Sequence, residues 1–284
     1  MRKILITLLT LTLSLLLINQ PVFKANALTA DFATTNEATN PNFDETRYGG
    51  NGELTFSSRT ISYATKKIVE EYQIPFGLPR YYGENDKSVC ANVSGAIVIG
   101  YYDRFCENLI PDYKTYQKRL SIITYKNLNA RILTLIDELK GFMQGNNPAG
   151  ATFNEYKKGL NDYCLNAGYT YRDESVFASN KLSMQKYKSA IDDKKPVAVF
   201  LNSFKLLSIT ESAGKITISE GQGDFTHIVT CYGYYKCEYY DKNGKKVYTA
   251  DCLKVATGYK NEAYYFLSVA DSTNIQNAIS VAIE

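Results

Sequence analysis

Apolar and polar positions change rhythm twice along this chain, which divides it into a leader, a helix-patterned part and a strand-patterned part. Ile4 to Ile18 is an apolar run of about 15 residues behind Arg2 and Lys3, followed by Ala25-Asn26-Ala27. A short basic start, an apolar stretch short for a membrane span and a small-x-small tripeptide make a secretory signal, so cleavage is predicted after Ala27. Residues 28 to 58 are rich in Thr, Asn, Ala and Gly with little periodicity, and they read as a linker or short pro-segment. One domain is predicted over residues 59 to 284.

From Ile61 to Ile74, Ile61, Ala64, Ile68 and Tyr72 oppose Lys66, Lys67, Glu70 and Glu71. That spacing predicts an amphipathic helix, ended by Pro75 and Pro79. Ser88 is a good helix cap and predicts an apolar helix with Cys90 at its second position. The hundred residues that follow read as helical. Asn127 to Met143 carries Ile132, Leu133, Leu135, Ile136 and Leu139 at helical spacing, and Thr152-Phe-Asn-Glu155 is a capping box for a helix to about Asn166. Ser183 to Asp193 predicts one more short helix. From Pro196 the period falls to two: 196–201, 215–219, 227–240, 246–257, 263–269 and 278–283 predict strands, with Asp241-Lys-Asn-Gly244 as a hairpin turn. That turn faintly resembles a calcium loop but lacks its later acidic ligand. Helices first and an antiparallel sheet afterwards argue for an α+β fold.

Composition narrows the function classes. Net charge is +3 with no basic block, which argues against a nucleic-acid partner. After the leader, no stretch approaches the ~20 apolar residues of a membrane span, so no stable insertion is expected. Tyrosine is abundant, at 24 residues with no tryptophan, and is assigned to half-buried strands and interfaces. Six cysteines in an exported chain invite a disulfide. Pairing around Asn243-Gly244 puts Cys237 opposite residue 250 with Cys252 diagonal to it, a marginal distance for a bridge. Neither a metal nor a cofactor is expected, since the spacings lack a C-x-x-C pair and the chain has one histidine.

That histidine, His227, opens the run His-Ile-Val-Thr-Cys-Tyr-Gly-Tyr-Tyr235. Cys90 faces the free amides of a helix start, which favour a thiolate. A nucleophile at a helix start and a base at a strand start are the two parts of a thiol mechanism.

Three blocks carry a resemblance. Cys90-Ala-Asn-Val-Ser-Gly-Ala-Ile-Val-Ile-Gly-Tyr-Tyr resembles the nucleophile helix of papain-like cysteine peptidases, Lys194-Lys-Pro-Val-Ala-Val-Phe200 the run leading into their barrel, and His227-Ile-Val-Thr-Cys-Tyr-Gly-Tyr their histidine strand. The chain looks most like secreted bacterial members akin to bacteriocin-processing peptidases. The resemblance implies two lobes, a helical one with the cysteine and a β one with the histidine, and hydrolysis of a peptide or protein substrate through a Cys90 acyl-enzyme. Two slots depart from the family. Glu84 stands where the oxyanion glutamine is usual, with Asn85 beside it as a replacement donor. Ala256 stands where an asparagine orients the histidine, with Asp271, or else Asp251, as a substitute. A cell-wall hydrolase of the NlpC or CHAP type and a non-catalytic binding module on a decayed peptidase fold are the alternatives. Secretion leaves association with the cell wall open.

Overall fold

A computed structural model describes residues 45–50, 52–83, 88–144, 147–260, 265–269 and 274–284. The expected signal sequence lies outside them, as do Glu84, Asn85 and Asp271.

The first elements differ from the expected helix. Thr55–Ser62 (β1) and Thr65–Gln73 (β2) are strands, exposed along almost their whole length. Ile68, Glu70 and Tyr72 fit a period of two as well as 3.6, and Thr55, Thr60, Ile61, Thr65, Ile68 and Val69 are β-branched. A helix this short is marginal in water without a packed face, so waiting strand edges decide the outcome. Of the stretch expected to be a linker, Thr55–Ser58 therefore belongs to β1 and Tyr48 is fully buried.

Cys90–Tyr102 (α1) is buried on every side, as befits a helix whose residues are apolar or small except for Asn92 and two tyrosines. The helical hundred is interrupted by Tyr116–Arg119 (β3) and Ile122–Tyr125 (β4), which pair with each other. Ala130–Met143 (α2) and Phe153–Asn166 (α3) follow expectation closely. The α3 capping box is complete: Thr152 Oγ1 accepts from Glu155 N, and Glu155 Oε2 accepts from Thr152 N. Thr152→Ala is expected to cost about 1 kcal/mol of stability, read from the urea midpoint at unchanged slope.

Tyr171–Ser175 (β5), Phe177–Ala178 (β6) and Lys181–Leu182 (β7) precede Met184–Asp192 (α4), which Ser183 caps. The strand-patterned part is Val197–Ser212 (β8), Lys215–Gly223 (β9), His227–Tyr240 (β10), Lys246–Ala256 (β11), Phe266–Ser268 (β12) and Asn274–Ile283 (β13). Asp241 builds the hairpin turn by accepting from Asn243 N and Lys245 N.

The fold is α+β. Its nine-stranded antiparallel sheet runs β1-β9-β8-β12-β11-β10-β2, with β13 on β8 and β5 on β13. β1 and β2 end this path on opposite sides, yet only Tyr63 and Ala64 join them. Two linking residues span about 11 Å at most, so the sheet curls until its ends meet. Tyr63 N donates to Gly214 O and Ala64 N to Tyr240 O at that junction. The 16-residue β8 makes the curl workable. Its first part pairs with β10 and β13, and its second part leaves with β9. α1 lies between α2 and α3 on one side and β10 on the other.

The register puts Cys237 opposite Ala250 and Cys252 opposite Tyr235. No bridge forms: all six cysteines are free and buried.

Candidate functional site

α1 starts one residue later than expected. Val93 N bonds to Val89 O, so Val89 is the cap residue and Cys90 the first helical one. No side chain caps this end. The backbone amides of Ile228, Ala91 and Cys90 reach the Cys90 sulfur. One of these, Ile228, belongs to β10, next to the histidine.

His227 sits at the first position of β10, paired with Leu201 of β8. Its Nε2 lies 2.8 Å from the Thr257 carbonyl oxygen. A carbonyl only accepts, so Nε2 carries the proton and donates it. In the neutral ring Nδ1 is then a bare lone pair, and Nδ1 is buried without a partner. Tyr259 stacks on the ring at 4.6 Å between centroids and 21°, and Phe204 lies at 5.2 Å and 30°. Packing and one backbone carbonyl therefore set both the tautomer and the plane of the imidazole.

The orienting group is thus the residue after Ala256, acting through its main chain. Asp251 does not reach the histidine. It lies mid-way along β11, in a half-exposed ion pair with Lys236 at 2.7 Å. Asp271 and Asn85 are outside the described residues.

Gly50 shows how the two groups relate. A Cβ built on it would lie 3.2 Å from His227 Nδ1 and 3.6 Å from Cys90 Sγ, so thiol and imidazole flank a single point. The tie between their elements is polar and buried. Ser94 Oγ, one turn after Cys90, lies 2.8 Å from Thr230 Oγ1 of β10 and 3.2 Å from the Tyr156 hydroxyl of α3.

The site is covered. Cys90 Sγ donates to the Tyr48 carbonyl oxygen at 3.2 Å, and Tyr48 has no exposed surface. Burial pushes the Cys90 thiol up to about 12 against the pull of the three amides. Burial likewise pushes His227 down to about 4, although the bond to Thr257 opposes it. The helix start acts in the expected direction, but desolvation outweighs it in this arrangement. Thiol and imidazole are both neutral here.

This has a consequence for acid stability. The unfolded histidine takes up a proton near pH 6.5 and the folded one only near 4, so unfolding binds protons in that window. Stability from this group is complete above about pH 6.5, is lost as pH falls toward 4, and levels off below it. The amount is about 3 kcal/mol by linkage. His227 is the chain's one histidine, so its ring C–H resonances report it without assignment. They are expected to stay in the neutral position at pH 5.5.

Sequence reasoning missed Thr257, Ser94, Thr230 and the aromatic faces of Tyr259 and Phe204. The slot at Ala256 was one residue away from the orienting group, and a backbone acceptor has no side-chain signature. Among the described residues, no group of three or more His, Cys, Asp or Glu is placed to hold a metal ion, and no helix is long and apolar enough to cross a membrane.

Comparison with protein-family models, with curated proteins and with solved structures finds no match.

Proposed function

We propose that this chain is a secreted thiol peptidase with Cys90 as nucleophile and His227 as its acid and base. The observation that carries the proposal is the single point flanked by Cys90 Sγ and His227 Nδ1, with Nε2 tied to Thr257. The bare Nδ1 is the atom that takes the thiol proton. The thiolate adds to a peptide carbonyl carbon, and the imidazolium returns its proton to the departing amine. Water then adds to the thioester with the imidazole as base, which releases the acid and regenerates the thiol. The Cys90 and Ala91 amides at the start of α1 are donors within reach of the sulfur and suit the developing oxyanion. Thr257 holds the ring in the required tautomer, a task its carbonyl performs without carrying charge.

The helical side with α1 and the curled sheet with β10 also support the papain-like reading of the fold. The leader, Ile4 to Ile18 with Ala25-Asn26-Ala27, supports export.

The test is incubation of the purified chain with a peptide library between pH 5 and 8, with products read by mass spectrometry. Cleavage by the wild type that is absent from Cys90→Ser and His227→Gln supports the reading. Cleavage that survives both substitutions, or no cleavage even after the covering segment is released, ends it.

A further inference from the structure

The hairpin of β3 and β4 lies outside the main sheet. Its root is fixed just past the end of α1. Thr115 N donates to Asp103 Oδ2 at 2.8 Å, the Thr115 hydroxyl lies 2.7 Å from Gly100 O, and Lys126 N donates to Thr115 O. Beyond that root, among the described residues, the two strands pair only with each other. A two-stranded hairpin gains little stability in water by itself.

The tip is strained and bare. Arg119 pairs with Ile122, which leaves Leu120 and Ser121 as a two-residue turn. Leu120 has φ +55, a region that such turns normally fill with glycine, asparagine or aspartate and that disfavours leucine. Leu120 is nevertheless 89 % exposed, and Ile122 is 62 % exposed. Folding alone gives no reason for a leucine there, so the reason is sought outside the chain. Two more bare apolar residues flank the root. Phe105 and Phe76 lie 4.7 and 6.0 Å from the Arg104 guanidinium, which is also 5.6 Å from the ring of Tyr125 in β4.

Charge on the same stretch is one-sided. Lys114, Lys118, Arg119 and Lys126 fall between Asp112 and Asp137 with no acidic residue among them, in a chain whose net charge is only +3. Among the described residues, Lys114, Lys118 and Arg119 are in no ion pair. Lys126 lies over the Tyr113 ring at 4.4 Å, and Tyr116 pairs with Tyr125. Apolar side chains at the end, cations along the flanks and tyrosines at the root match a surface that is negatively charged outside and apolar within. A narrow two-stranded tip offers no concavity for the side chains of a folded partner.

We propose that the β3–β4 hairpin docks this chain peripherally on an anionic lipid bilayer. Leu120 and Ile122 enter the boundary between headgroups and acyl chains, and Lys118 and Arg119 stay at the level of the phosphates. Docking of this kind spans nothing. It does not rest on the peptidase reading: Cys90 opens the 13-residue α1 and the hairpin root bonds beyond its other end, about 20 Å away.

The chain holds no tryptophan, so Leu120→Trp places a single reporter at the tip. The purified chain is mixed at low salt with vesicles of equal parts phosphatidylglycerol and phosphatidylcholine, and tryptophan emission is read. A blue shift and quenching by brominated lipid are expected, and neither with phosphatidylcholine alone. Adding Lys118→Gln and Arg119→Gln is expected to weaken the partition about 30-fold, the loss for two cations near such a surface. Ile122→Trp reports from the same tip. Adding Leu120→Asn to it is expected to weaken the partition about tenfold. That substitution is also expected to raise the urea midpoint, because asparagine tolerates positive φ, whereas a leucine with a merely structural role would lower the midpoint when replaced. No shift with the anionic vesicles in either reporter overturns the proposal. An equal shift with phosphatidylcholine alone, with dextran sulfate, or in Phe56→Trp, an equally bare ring on β1, also overturns it. A shift without lipid that grows with protein concentration assigns the tip to a second copy of the chain and overturns it too.

Discussion

On the proposed peptidase reading, Cys90→Ala is expected to lower peptide hydrolysis by at least ~10³-fold, because the acyl-enzyme cannot form without the thiol. The fold should survive the change. Cys90 is a small buried residue whose sulfur makes one thiol bond, to the Tyr48 carbonyl. Cys90→Ser is the stricter control, since a hydroxyl keeps the volume and the donor but gives up the thiolate. His227→Gln should fall by about 10²–10⁴-fold, the range for losing a general acid and base. Parallel thermal melts separate a chemical loss from an unfolded chain. Full activity in Cys90→Ala with an unchanged melt would place the chemistry elsewhere.

Phe200→Ala is expected to be the most damaging single truncation for stability, at about 3–5 kcal/mol. Phe200 is fully buried in β8, where that strand pairs with β10 through Ile228 and with β13 through Asn277. Its ring meets Tyr48, Phe153 and Tyr156 edge-on, so one deletion opens a cavity beneath α3 and beneath the segment over the site. The surrounding rings are held by their own elements and cannot collapse to fill the space. A urea melt with reduced midpoint and preserved slope is the expected record. Phe200→Leu, which leaves a smaller void, should recover part of the loss. A loss under about 1 kcal/mol would mean that the seat relaxes freely, contrary to close packing.

Much of the helical side was legible because its signals are local. Thr152 and Glu155 are three residues apart and satisfy each other, and the apolar spacing of Ile132, Leu135, Ile136 and Leu139 needs no distant partner to be read. The hairpin at Asp241 was legible for the same reason. Residues 61–74 were not, since their pattern fits two periods and the choice was made by the edges of β9 and β10, more than 100 residues away in sequence. The far half of β8 was missed likewise: Leu206 to Ser212 are strand because β9 and β12 lie beside them. The cysteine register was read correctly at Cys237 and Ala250, but a diagonal neighbour does not make a bridge.

By itself, the sequence determined the helices α2, α3 and α4 and the long run of strands after them, that a cysteine stands at the start of a largely apolar helix, and that the chain's one histidine opens a strand. Short-range spacing and residue type suffice for each of these. Only the tertiary structure decided that Cys90 and His227 flank one point, that the Thr257 carbonyl orients the imidazole, and that Tyr48 and Gly50 cover both. Main-chain acceptors, missing side chains and burial depend on where distant segments come to rest. Such features leave almost no mark on residue type, so they become visible only once the chain has folded.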